Sequence, residues 1–120
     1  MSAHNELGKK GEEIARKFLI EKGYKIIATN WRYKKEEIDI IAKHENEIIF
    51  VEVKTRSSSY FEAPEQAVTK KKQKFLINAA NDYIQSNNIE IEGRFDIISV
   101  ICNTNKEEIN HIEDAFYPTV

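Results

Sequence analysis

Cysteine is almost missing from this chain. Cys102 stands alone, which excludes an internal disulfide and a zinc–thiolate cluster. Its place at the end of an apolar run suits packing. Histidine is sparse too, and His4, His44 and His111 are too scattered for a local ligand motif. No apolar run reaches the length of a membrane span and no signal peptide is present, so a cytoplasmic protein with no membrane partner is expected. Basic residues are not in excess. With 18 Lys and Arg against 20 Asp and Glu the formal net charge is -2, so any attraction to nucleic acid must come from a local patch. Repeats, linkers and low-complexity tracts are absent as well. The 120 residues suffice for one core but not two, so one domain over 1–120 is expected.

The most informative stretch runs from Glu36 to Lys54. Two β-branched runs, Glu36–Ala42 and Glu47–Lys54, flank a short polar break from Lys43 to Asn46, the pattern of a hairpin. Side chains alternate along a strand, which puts Glu37 and Asp39 on one face, opposite Ile38 and Ile40. Glu52 and Lys54 likewise share a face, with Ile49, Val51 and Val53 on the other. If the turn centres on Glu45-Asn46, Asp39 lies directly opposite Glu52. Two carboxylates that close repel unless a cation lies between them or one holds a proton. Mg²⁺ takes oxygen ligands and is commonly held by one or two carboxylates plus substrate phosphate oxygens. Lys54 would then orient or help deprotonate an attacking water, or stabilise charge on a phosphate. The alternative is an ordinary set of cross-strand ion pairs, in a chain with 32% charged residues. Against it, Ile48–Val51 is apolar on both faces, and charges at the end of such a strand are costly without partners or a task.

Around this hairpin, residues 5–22 predict a helix capped by Asn5 and ended by Gly23, with Leu7, Gly11, Ile14, Ala15, Phe18 and Leu19 on one side. Glu12 borders that apolar arc while Glu13 points away, so Glu12 is the acid able to reach a site beneath the helix. Gly8 and Gly11 hint at a close approach of the backbone. Residues 24–33 predict a strand, and polar Thr55–Ala63 a loop that meets substrate. A second helix is expected from about Pro64 to Gln85, with Val68, Phe75, Leu76, Ala79, Ala80 and Tyr83 buried. Lys70, Lys71 and Lys74 fall outside that stripe, but Lys72 projects from its middle, a misfit shared between a functional lysine and a snorkelling one. Residues 94–101 give another apolar strand, in which Asp96 pairs with Arg94 or a lysine, and 107–112 an edge strand.

The order of elements, α-β-β-β-α-β-β, predicts an α/β fold with a mixed sheet flanked by helices. With Asp39 followed by Glu52-Val53-Lys54, it resembles the restriction-endonuclease-like core of the PD-(D/E)xK nuclease superfamily. More closely, Gly11-Glu12-x-x-Ala15, Glu37-Ile38-Asp39, Phe50 through Lys54 with Arg56, Val68 through Lys72 and Arg94-Phe95-Asp96 resemble the YraN-like family of uncharacterised bacterial proteins. The resemblance implies Asp39, Glu52 and the Val53 carbonyl as ligands for Mg²⁺ or Mn²⁺, with Lys54 as the catalytic lysine. It makes Glu12 the helix acid of the archaeal Holliday-junction resolvases, and places Arg56, Gln66 and Lys72 on the substrate side. Ile38 stands where the superfamily name has proline. The implied activity is hydrolysis of phosphodiester bonds in DNA, including branched or junction DNA, with a homodimer carried by analogy to the resolvases. The competing classes are a nucleic-acid-binding module that kept the fold without catalysis, and a protein-interaction domain in which the hairpin charges are salt bridges.

Overall fold

The computed structural model describes residues 3–58 and 68–118, with the backbone alone for residues 3–5. Its elements are α1 (Ala3–Glu21), β1 (Lys25–Tyr33), β2 (Glu36–His44), β3 (Glu47–Arg56), α2 (Lys70–Ser86), β4 (Glu92–Cys102) and β5 (Glu107–Phe116). The expected order and α/β class are therefore observed. The five strands form one sheet in the order β1-β2-β3-β4-β5, antiparallel except between β3 and β4. Parallel neighbours cannot be joined by a tight turn, and α2 lies on the crossover between them.

The two helices cover opposite faces of the sheet. Ile49, Val51 and Val53 of β3 join Ile40, Ala42, Ile98 and Val100 against Ala15 and Leu19 of α1. Ile48 and Phe50 join Ile41, Phe95 and Ile97 against Leu76, Ala79, Ala80 and Tyr83 of α2. A central strand with both faces covered must be apolar at successive positions, and β3 is buried from Ile48 through Val53. Glu52 is the one charged residue in that run, and it is 6% exposed.

Helix ends follow local chemistry. Gly23 adopts φ +94, and the Tyr24 and Gly23 N–H groups donate to the carbonyls of Leu19 and Ile20, the paired bonds of a Schellman stop. At its start α1 differs from expectation: it begins at Ala3, so Asn5 lies inside it and does not cap it. The second helix also starts later than expected. Thr69 takes an extended conformation and its side chain accepts the Lys72 N–H, which fixes the first turn at Lys70. Pro64 lies outside the described residues, and Val68 is buried ahead of the helix. Of the two glycines read as close approaches, Gly11 is one, since a Cβ there would overlap the Thr55 side chain of β3, whereas Gly8 faces open space. Gly11 thus lets α1 lie directly on β3, one residue before Glu12.

Away from the hairpin's acids, a polar cluster ties β4 to its neighbours. Arg94 donates from Nε and a terminal nitrogen to the two oxygens of Asp96 at 2.9 and 2.8 Å, and also to the Tyr24 hydroxyl at 2.7 Å and Glu47 at 3.0 Å. Asp96 is fully buried and accepts further bonds from the Asp114 N–H and from His111 Nε2. Lys22 Nζ faces His111 Nδ1 at 2.8 Å; an ammonium only donates, so Nδ1 accepts and Nε2 carries the hydrogen. Burial, the largest influence, opposes charge on Asp96, but the bonds from His111, Arg94 and Asp114 outweigh it and hold the carboxyl below its ordinary range. The Arg94 partner expected for Asp96 is thus observed. The edge strand is observed too, but runs on to Phe116.

Candidate metal centre

The hairpin register aims the two acids at each other, and the sheet forks at the same point. His44 pairs with Glu47 and Ile40 with Val51, so the turn centres on Glu45 and Asn46 and the register points Asp39 at Glu52. That ladder ends at Ile40 and Val51, while β2 stays paired to β1 as far as Glu36 and β3 stays paired to β4 as far as Arg56. The strands therefore diverge where the carboxylates begin. In an unbroken ladder Val53 would exchange both main-chain bonds with Ile38. Instead its N–H donates to Asp39 Oδ2 at 2.8 Å, and the Val53 carbonyl, on the same edge of the strand, faces the gap as well.

Regular alternation does not survive the fork, and this corrects the expected faces of β2. Ile38 and Ile41, three residues apart, both pack beneath α2, whereas Ile40 packs beneath α1. Neighbouring β1 shows the matching break: Ala28 and Trp31 both pack on the α2 side, and Asn30 between them takes φ +50. Asn30 and Asp39 consequently line one cavity on the α1 side with Lys9, Glu12, Glu13, Arg16, Thr29 and Ile40. Glu52 keeps the expected place on the face opposite Val51 and Val53, which is the α2 side. Asp39 and Glu52 meet across the opened sheet, not along one flat face.

Charge around the gap is unequally satisfied. Lys72 Nζ lies 3.9 Å from Glu52 Oε2 and 3.3 Å from Glu36 Oε1, and sits over the Phe75 ring 5.1 Å from its centre. The misplaced lysine of the second helix is therefore directed at the acids. Glu52 Oε1 is the one buried side-chain polar atom among the described residues that lacks a hydrogen-bond partner. Burial, above all, pushes Asp39 up to about 7, and Glu52 adds to the rise while the Val53 N–H and Lys72 oppose it. Burial also raises Glu52, against the pull of Lys72 and Lys54. Glu12 is raised by burial first, then by Asp39 and Glu37, and is lowered by the amide of Asn30, which donates to its Oε1 at 2.9 Å.

The set suits a hard divalent cation, whose charge would satisfy the orphaned Glu52 oxygen and cancel the repulsion that keeps a proton on the pair. No group of three His, Cys, Asp or Glu side chains converges on one point among the described residues, so two carboxylates and a carbonyl are what these residues offer. That is a Mg²⁺-type ligand set and a poor one for structural zinc.

The raised carboxyls also set a pH dependence. Asp39 has a folded value near 7 against an unfolded one of 3.8, so between those limits the native state binds more protons than the unfolded chain. Its contribution to stability is therefore fully present below about pH 4 and is lost as the pH rises through about 7. In metal-free buffer, Asp39→Asn is expected to be more stable than wild type at pH 8 by about 1–3 kcal/mol, with the difference shrinking toward pH 5. Urea unfolding across that range checks this; a difference that is flat with pH contradicts it.

Most expected site residues thus gather here. Asp39, Glu52, Val53, Lys54 and Lys72 meet at the fork, with Glu12 reaching its α1 side. Arg56 follows at the end of β3, half-buried and paired in register with Ile101. Gln66 lies outside the described residues. Sequence reasoning missed Glu36, the second acid beside Lys72, and Asn30. An asparagine inside a strand pattern was the available signal for the latter, because Asn tolerates positive φ.

Among the described residues no helix is long and apolar enough to cross a membrane. Comparison with known proteins gives relatives of nearly the same length. The chain is 50% identical over 117 residues to a UPF0102 protein of Flavobacterium psychrophilum, covering 98% of each. It is 48% identical over 117 residues to a UPF0102 protein of Christiangramia forsetii and 48% identical over 118 residues to one of Bacteroides thetaiotaomicron, again covering 98% of each. The model of the uncharacterised protein family UPF0102 matches residues 11–100, a span that holds Glu12, Asp39, Glu52, Lys54 and Lys72. As the YraN-like motifs implied, the chain belongs to the UPF0102 family.

Proposed function

We propose that this protein is a metal-dependent nuclease of the PD-(D/E)xK kind that hydrolyses phosphodiester bonds in DNA, with branched or junction DNA the first class to test. The observation that carries this reading is the buried Glu52 Oε1 beside Asp39 in a forked sheet, because a buried carboxylate oxygen without a hydrogen-bond donor is costly unless a ligand supplies what it lacks. Asp39, Glu52 and the Val53 carbonyl would hold Mg²⁺ or Mn²⁺. When bound, the cation would neutralise the acids, polarise a phosphate oxygen and make water a better nucleophile at neutral pH. Lys54 follows Glu52 on the same side of β3 and would orient the attacking water or donate to the phosphate. Lys72, held near Glu52 by Phe75 and Glu36, would meet charge developing on a phosphate oxygen, and Arg56 would contact the strand beyond. Such a protein would work in the cytoplasm, and two copies in a homodimer would suit the symmetry of a four-way junction.

The test is cleavage of labelled linear, single-stranded, flapped and four-way-junction DNA in Mg²⁺, Mn²⁺ or EDTA, with wild type and Glu52→Ala in parallel. Metal-dependent cutting by wild type that disappears in the variant is the expected result. Equal silence from both, with DNA binding retained, would replace the nuclease by a binding module on the same fold. Weak, metal-independent binding to every nucleic acid would leave the hairpin charges as an interaction surface.

A further inference from the structure

We infer that Asn30 is a positioning residue of this site, whose amide holds the Glu12 carboxylate at the α1 side of the fork. The catalytic consequence rests on the nuclease reading; the positioning itself does not.

The starting observation is a backbone outlier. Asn30 takes φ +50 in the middle of β1, a region that costs an ordinary residue energy and that Asn and Gly reach most readily. The irregularity is not at a turn: Thr29 pairs with Ile40 and Trp31 with Ile38, so the strand continues on both sides of it. The same register brings Asn30 level with Asp39, the residue at which β2 loses its own alternation. Turning Asn30 out of its regular place sends its side chain to the α1 face, where Nδ2 donates to Glu12 Oε1 at 2.9 Å.

That bond has a plain chemical effect. Glu12 is half-buried and lies near other acids, Asp39 and Glu37 of β2 and Glu52 of β3. Lys9, Glu13 and Arg16 of α1 line the same cavity. Left alone, a carboxylate there would turn outward toward Lys9 and Arg16 or take up a proton. The Asn30 amide donates to the charged form and fixes one oxygen of the carboxylate. A strained strand residue that donates to an acid next to the candidate metal ligands fits a role in orienting that acid better than one in packing.

Two properties of Asn30, tolerance of positive φ and an amide donor, can be separated. Asn30→Gly keeps the first and removes the second; Asn30→Asp keeps the first and replaces the donor by an acceptor. With Glu12 followed by carboxyl-carbon NMR, its pKa is expected to rise in Asn30→Gly and further in Asn30→Asp, while the thermal midpoint of Asn30→Gly stays close to wild type. In the cleavage assay kcat for Asn30→Gly is expected to fall about 10-fold or more, with the acid limb of the pH profile moving upward as Glu12 does. A Glu12 titration that does not move in either variant overturns the inference, as does cleavage with an unchanged pH profile. If wild type cuts no substrate the nuclease reading fails, and the NMR titration alone still decides whether Asn30 positions Glu12.

Discussion

Asp96→Ala is expected to lose about 3–5 kcal/mol of stability, the cost of breaking a buried ion pair from one side. The substitution removes the two-pronged contact of Arg94, leaving it Glu47, Glu113 and the Tyr24 hydroxyl, and leaves His111 Nε2 and the Asp114 N–H without their acceptor. Asp96 sits where β4, β5, the start of β1 and the β3 side chain of Glu47 converge, so no single element can relax to absorb the loss. Set against the roughly 5–15 kcal/mol of a typical domain, this leaves a marginal fold. Urea unfolding followed by Trp31 fluorescence measures it, and a loss below about 1 kcal/mol would mean that the cluster is no more than surface pairing.

Glu52→Gln should have the opposite sign on stability and the larger effect on function. The amide keeps the side chain's volume but removes a buried negative charge that Lys72, 3.9 Å away, and Lys54 only partly offset, and that leaves one oxygen with no hydrogen-bond partner. Metal-free stability at pH 8 is therefore expected to stay level or to rise by about 1 kcal/mol, since Lys72 keeps Glu36. Cleavage is expected to fall at least 10²–10³-fold, on the order of the several kcal/mol of transition-state charge stabilisation that a held cation supplies. Urea unfolding and initial cleavage rates on the same preparations check both halves. A variant that is destabilised and still cuts would make Glu52 a structural acid.

How legible this site was depended on how local its causes are. The hairpin could be read because β-branched runs and a short polar break mark both strands and narrow the register, and the shared face of Glu52 and Lys54 follows by alternation. Lys72 was visible as a charge in an apolar stripe, since helical periodicity needs no knowledge of what lies opposite. The fork was not visible. It arises because β2 stays with β1 while β3 stays with β4, a competition between partners far apart in sequence that flips Asp39 relative to Ile40. Asn30 was missed for the same reason, because its outlying backbone has meaning only beside Asp39 and Glu12. Helix starts were misplaced where capping, not periodicity, decided them, as at Thr69.

The fork between Asp39 and Glu52 is expected to hold a divalent cation, and Mn²⁺ titration followed by amide NMR tests this without needing a substrate. The unpaired electrons of Mn²⁺ broaden signals close to the ion. Substoichiometric Mn²⁺ is expected to erase the amides of Asp39, Glu52 and Val53 first, with that selective loss reversed by excess Mg²⁺ and absent in Glu52→Gln. Broadening centred elsewhere, or none at these three residues up to millimolar Mn²⁺, would contradict it.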